Sequence, residues 1–154
     1  MIQIIFNKAL GSSLMSTKAV VIDYIKQFLE ENGISFNTAK KPENDSWIFR
    51  YGTLQFQVGI YLYTRLNQTK IGLVVSGVIG DTPIDKLNKR NLYEKLLALN
   101  DQMVEAAFRI SENDKILLSI SKDVGSVSYK ELKSMINTIA KIGDSLDEEL
   151  KNGF

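Results

Sequence analysis

The sequence predicts an α+β domain of order α-β-β-β-α-β-β-α, an antiparallel sheet packed with helices. Three observations carry this. Apolar residues change from a helical spacing to a strand spacing and back, twice along the chain. Short polar turns separate the strand-like runs, and connections that short join antiparallel neighbours. The 154 residues suit one core, since domains usually run to ~100–200 residues.

The first helix is expected from Thr17 to Asn32, with Ser16 or Thr17 as its cap. Val21, Tyr24, Ile25, Phe28 and Leu29 follow the i, i+3, i+4, i+7 pattern of one helical face. Gly33 stops it, because a residue without Cβ enters the left-handed conformation freely. Trp47, Phe49 and Tyr51 then alternate with Ile48 and Arg50. After Gly52, the residues Leu54, Phe56, Val58, Ile60 and Leu62 alternate with Gln55, Gln57, Gly59, Tyr61 and Tyr63. Asn67 to Lys70 reads as a turn, and Ile71, Leu73, Val75 and Ile79 resume the alternation, completing a three-stranded meander. Asp81-Thr82-Pro83 is a cap followed by proline, which places a second helix start near Ile84, with a break or kink expected at Asn88 to Asn91. Val104, Ala106, Phe108 and Ile110, a turn at Glu112-Asn113-Asp114, and Ile116, Leu118 and Ile120 form a second hairpin. Ser128 and Glu131 have capping-box spacing ahead of a final stripe of Leu132, Met135, Ile136, Ile139, Ile142, Leu146 and Leu150.

Composition removes several function classes. The chain has no Cys and no His, so it contains no Cys or His zinc site, no thiolate nucleophile and no triad with a histidine base. No cofactor motif is present. Lys and Arg number 19 against 18 Asp and Glu, a balance that gives no overall preference for nucleic acid or an anionic membrane. The longest mostly apolar run, Ile71 to Ile79, is far shorter than the ~20 residues of a membrane-crossing helix. A cytoplasmic protein is the expectation. Residues 1–14 read as a leader, a vector-derived remnant or an extended start, with Met15 able to serve as the native start and a single domain over residues 15–154.

Candidate chemistry is sparse. Asp144, Asp147, Glu148 and Glu149 form the densest acidic group, but they interleave with the stripe residues Leu146 and Leu150 and read as a solvated helix face, so no catalytic or metal site is expected. Asp81 and Asp85 read as helix-start charges. Gly72, Gly77 and Gly80 lack the Lys-Ser/Thr of a phosphate loop and are expected to allow a bulge, or the close approach of a helix or partner chain. The aromatic residues near Arg50 and Arg65 lack the basic excess of a base-stacking surface. One pattern points outward. Tyr61 and Tyr63 fall opposite Phe56, Val58, Ile60 and Leu62, and Val74 and Val78 fall opposite Ile71, Leu73 and Val75. Either a helix covers this second apolar face, or it is exposed as a protein interface.

Trp47-Ile48-Phe49-Arg50, Leu96-Leu97-Ala98-Leu99-Asn100, Phe108-Arg109-Ile110 and Ile116-Leu117-Leu118, with the helix after Ser128, carry a resemblance. The chain from Thr17 to Leu150 resembles the type III secretion chaperone-like superfamily and, within it, the YbjN-type bacterial proteins. The resemblance implies the α-β-β-β-α-β-β-α fold, a homodimer, no catalytic site and no cofactor, and, as in relatives from secretion systems, binding of an extended partner segment along apolar surface. The expected function is a non-enzymatic protein-binding module, chaperone-like or regulatory. The alternative is a sensory domain for a small molecule or lipid, which requires an enclosed cavity. Tyr61, Tyr63, Val74 and Val78 are the expected partner contacts. Leu92, Leu96 and Leu99 are the expected dimer contacts, because their helix carries more apolar positions than one core stripe uses.

Overall fold

The switch of apolar period at Gly33 is executed by a helix stop whose bonds identify it. Gly33 has φ +69°, its N–H donates to the Glu30 carbonyl (3.1 Å), and the Ile34 N–H donates to the Leu29 carbonyl (2.8 Å), the Schellman pairing that satisfies carbonyls left over at a helix end. In a computed structural model of the chain, the backbone is described for residues 2–152 and side chains for residues 15–146. Helix α1 spans Ile2–Glu31. It starts upstream of the expected Thr17, so Ser16 and Thr17 are interior positions rather than caps. The helix runs through Gly11, which disfavours it by ~1 kcal/mol relative to Ala. The side chains of the expected leader, residues 1–14, and of Asp147, Glu148, Glu149 and Leu150 lie outside the described residues.

A single turn, α2 (Phe36–Ala39), follows, capped by the Ser35 hydroxyl, which accepts from the Thr38 N–H. The meander is β1 (Ser46–Tyr51), β2 (Leu54–Arg65) and β3 (Gln68–Asp81). The β2–β3 hairpin turns at Leu66-Asn67, both at positive φ, with Arg65 opposite Gln68. That two-residue turn matches strand twist, so the strands run further than the expected turn at Asn67 to Lys70. Helix α3 spans Lys86–Gln102 and is followed by β4 (Ala107–Ile110), β5 (Lys115–Asp123), one 3-10 turn and α4 (Tyr129–Asn152).

Two further expectations near α3 are corrected. Its cap is Asp85, whose carboxylate accepts from the Asn88 N–H (2.9 Å), whereas Asp81 stays in β3 opposite Lys115 and forms an ion pair with it. The helix is continuous through residues 88–91, because polar residues on its solvent side do not interrupt the buried Leu92 and Leu96. Val104, read as strand, is 99% exposed and lies in the loop before β4. At α4, the Ser128 hydroxyl accepts from the Glu131 N–H (3.1 Å), while the Glu131 carboxylate pairs with Lys122 rather than reaching back along a full capping box.

The sheet order is β1-β2-β3-β5-β4, antiparallel throughout. Directly opposed residues share a face, so register sorts the sheet into two surfaces. The inner one carries Trp47, Phe49, Phe56, Val58, Leu73, Val75, Leu118, Ile120 and Phe108, all buried. Helix α1 meets it through Val21, Ile25, Phe28 and Leu29, with the Phe28 ring 5.3 Å from Tyr51 and 6.1 Å from Phe49. Helix α4 lays Leu132, Met135, Ile136 and Ile139 onto it. The two helices are joined where the Tyr129 hydroxyl donates to the Glu31 carboxylate. Burial and that bond push the Tyr129 phenol up to about 12, so it remains a donor through the physiological range.

Glycines set how closely α4 sits. A Cβ on Gly77 would lie 2.7 Å from Ile139 Cγ2, and one on Gly143 2.5 Å from Leu54 Cδ1. Gly77→Val drives a branched side chain into this contact, and overpacking of that kind destabilises by about 1–3 kcal/mol. Urea denaturation is expected to show a lower midpoint with an unchanged slope.

Candidate functional site

The other sheet surface is where sequence alternation left its unassigned apolar residues. It carries Ile48 and Arg50 on β1; Gln55, Gln57, Gly59, Tyr61 and Tyr63 on β2; Lys70, Gly72, Val74, Ser76 and Val78 on β3; Leu117, Ser119 and Ser121 on β5; and Ala107 and Arg109 on β4. Among the described residues no helix packs on it.

Instead, two of its own side chains lie across it. Gly72 is opposite Tyr61, and a Cβ there would fall 2.6 Å from Tyr61 Cζ, so the phenol end of the tyrosine lies over the glycine. Its neighbour Tyr63, 5.7 Å away ring to ring, donates its hydroxyl to Asp123 (3.2 Å). Burial, then the Asp123 bond, raise the Tyr63 phenol above its ordinary value. Further along, Ser76 and Ser119 are opposed, with their hydroxyls 2.8 Å apart. Arg109 closes over both, donating from Nε to Ser119 (3.0 Å) and from Nη2 to Ser76 (3.2 Å). The two serines are thereby buried at 3% and 6% exposure, with partners for hydroxyls that would be costly to bury alone.

Between Tyr61 and Arg109 lies an open groove of about 470 Å³. Gly59, Val74 and Ser121 line it, together with Gln57, Ser46 and the Asn44-Asp45 bend, where Asp45 pairs with Lys18 (2.5 Å). Tyr61 and Val74, two of the expected partner contacts, therefore line one groove, with Tyr63 beside Tyr61. Val78 is on the same face but further along, opposite Gln55 and Leu117. Arg109, Ser76 and Ser119 were not singled out by sequence reasoning. The available signal was a polar residue at an outward position inside apolar runs, Val75-Ser76-Gly77 and Leu118-Ser119-Ile120.

The sheet edges are partly closed. On β4, the Asn100 amide accepts from the Phe108 N–H (2.6 Å) and donates to the Phe108 carbonyl (3.2 Å), standing in for a further strand. On β1, Lys41 N–H donates to the Ser46 carbonyl (2.8 Å). Such covering is how native sheets avoid edge pairing.

The expected dimer contacts are placed differently. Leu92 and Leu96 are buried in the single chain at 0% and 4% exposure, and Leu99 packs partly against the core. The outward apolar residues of α3 are Leu87, Tyr93 and Leu97, the last 68% exposed. Tyr93, Leu97, Phe108 and Ile110 frame a second, apolar pocket of about 260 Å³. Asp85 caps a helix and Asp144 accepts from the Thr53 hydroxyl (2.6 Å). Gly77 admits α4, and a bulge separates Val78 from Gly80, as the glycine spacing led us to expect. No helix among the described residues is long and apolar enough to cross a membrane.

Gly72→Ala is expected to lift the Tyr61 ring off β3, because the clash is with the end of a side chain already 40% exposed. Nuclear magnetic resonance should show loss of the ring-current shift at residue 72, with stability within about 0.5 kcal/mol of the parent, as for surface substitutions.

Comparison with known proteins agrees with this architecture. A chain from the solved structure of the HopA1-SchA chaperone-effector complex superposes with a TM-score of 0.54 at 16% identity, covering 87% of this chain and 97% of that chain. That likeness shows a shared fold. Comparison with curated proteins found no match. The model of the YbjN family, described as "Putative bacterial sensory transduction regulator", matches residues 22–152, which take in the last third of α1, the whole sheet, α3 and α4. The chain belongs to the YbjN family.

Proposed function

We propose that this chain is a non-enzymatic, chaperone-like or regulatory protein-binding module that receives an extended segment of a partner polypeptide on its open sheet face. The observation that carries the reading is the uncovered face itself, with Val74 beside Tyr61 and with Ile48, Val78 and Leu117 at half-buried positions further along it. The covered Phe108 edge and the closed start of β1 favour docking on the face over pairing at an edge. The fold shared with a chain from a chaperone–effector complex supports a polypeptide as the occupant, and the family description fits a regulator that acts by binding. A cytoplasmic location goes with this reading.

The small-molecule or lipid alternative has less support. The sheet groove is open, and the pocket beside α3, about 260 Å³, falls below the ~300–1,000 Å³ of most ligand sites. That pocket fits better into a homodimer contact. In this proposal a second copy docks on Tyr93 and Leu97, with Leu92 and Leu96 supporting them from the core.

The partner contacts are tested by Tyr61→Ser with Tyr63→Ser. Buried aromatic contacts often dominate binding energy at ~2 kcal/mol or more, so affinity for a partner isolated with the wild-type chain should fall at least ~10-fold. Thermal melting should stay near that of the parent. Unchanged affinity would remove these tyrosines from the interface. For the dimer, light scattering over a dilution series should give twice the chain mass for the wild type and one chain mass for Leu97→Asp. A wild type that is monomeric throughout would contradict the dimer.

A further inference from the structure

The net charge of +1 conceals a segregated distribution. On the open sheet face, register places Arg50, Arg65, Lys70 and Arg109, and none of them is in an ion pair among the described residues. The face's carboxylates are committed. Asp123 accepts from the Tyr63 hydroxyl and the Gly125 N–H, Asp81 is paired with Lys115, and Asp45, which borders the groove, is paired with Lys18. The cation bordering the groove, Arg109, is also the most constrained. Its Nε and one Nη2 hydrogen are spent on Ser119 and Ser76, which fixes the guanidinium plane while leaving its remaining donors unspent. A guanidinium held in place loses little further freedom when it meets a carboxylate, and the paired bonds it makes are among the stronger ones in proteins.

We propose that the groove between Tyr61 and Arg109 selects a partner segment bearing an Asp or Glu side chain, whose carboxylate accepts from Arg109 while an adjacent apolar side chain lies over Gly59 and Val74. This assignment rests on the reading of the sheet face as a polypeptide-binding surface and adds the chemistry of the segment. A carboxylate at Arg109 satisfies a cation that has no acidic partner among the described residues. The apolar neighbour takes the stretch of sheet that neither Tyr61 nor Arg109 covers. A nucleic-acid strand requires cations along a continuous track. Here Arg65 and Lys70 sit at the hairpin tip and Arg50 at the opposite end of the face, with the apolar groove floor between them.

The probe is a phage-displayed library of random dodecapeptides panned against the full chain. Enriched peptides are expected to carry Asp or Glu at a fixed offset from an apolar residue. A synthetic peptide from that set should bind Arg109→Gln about 10- to 100-fold more weakly, the range for a charge-assisted hydrogen bond. Arg109→Lys should recover part of the loss. Replacing the peptide's carboxylate by its amide should weaken wild-type binding by a similar factor, with no further loss in Arg109→Gln. The Ser76–Ser119 pair persists without the exposed arginine, so the variants should melt near the parent temperature. Peptides that depend on Tyr61 and Tyr63 but show no acidic preference and ignore Arg109→Gln would overturn the Arg109 assignment while leaving the polypeptide reading intact. Panning that yields no peptide on this face would overturn both. So would tighter binding of a labelled decauridine that displaces the peptides.

Discussion

The seating of α4 on the centre of the sheet is the contact on which the rest of the architecture depends. Leu132, Met135, Ile136 and Ile139 are each at most 2% exposed, and each such side chain contributes roughly 1.5–3 kcal/mol on burial. Gly77 on β3 and Gly143 on α4 remove the side chains that would hold the layers apart. Helix α1 then fills the remaining inner surface through Phe28, and Tyr129 ties it to α4 through Glu31. With α1 and α4 on one side, the other face of the sheet is covered, among the described residues, mainly by its own side chains.

That constraint explains why the outer face is neither a bare apolar patch nor an ordinary solvated surface. Tyr61 over Gly72 and Arg109 over Ser76 and Ser119 bury local sheet area without a second layer. The groove is the part they leave uncovered. The face carries separate cations on β1, β2, β3 and β4 that have no ion-pair partner among the described residues, so a chain that is nearly neutral overall offers isolated positive positions there. In the proposed complex, electrostatic complementarity of this kind acts on specificity and encounter rate more than on raw affinity.

Much of the fold was legible because apolar period is a local property. Val21 to Leu29, Leu54 to Leu62 and Leu132 to Ile139 each carry their pattern within one element, and the α-β-β-β-α-β-β-α order follows. Element ends were less legible. Asp81 and Asp85 have the same chemistry at similar positions, and Lys115, distant in sequence, decides between them by pairing with Asp81. The opposition of Tyr61 and Tyr63 to the core residues was also legible, since alternation alone sets it. The Arg109–Ser76–Ser119 cluster was not. It depends on β5, not β4, lying next to β3, and no local pattern encodes that order. Leu92 and Leu96 read as dimer contacts in the sequence because counting apolar positions on α3 does not reveal that β4 lies against the helix.

One sheet face is open among the described residues of the free chain, and side-chain solvent access measures that openness most directly. Hydroxyl-radical footprinting read by mass spectrometry, over a dilution series that reaches the monomer, should label Tyr61 and Tyr63 while Trp47 and Phe56, both at 0% exposure, remain protected. Protection of Tyr61 and Tyr63 to the level of Trp47 at every dilution would show that another part of the chain covers the face, and would contradict the account.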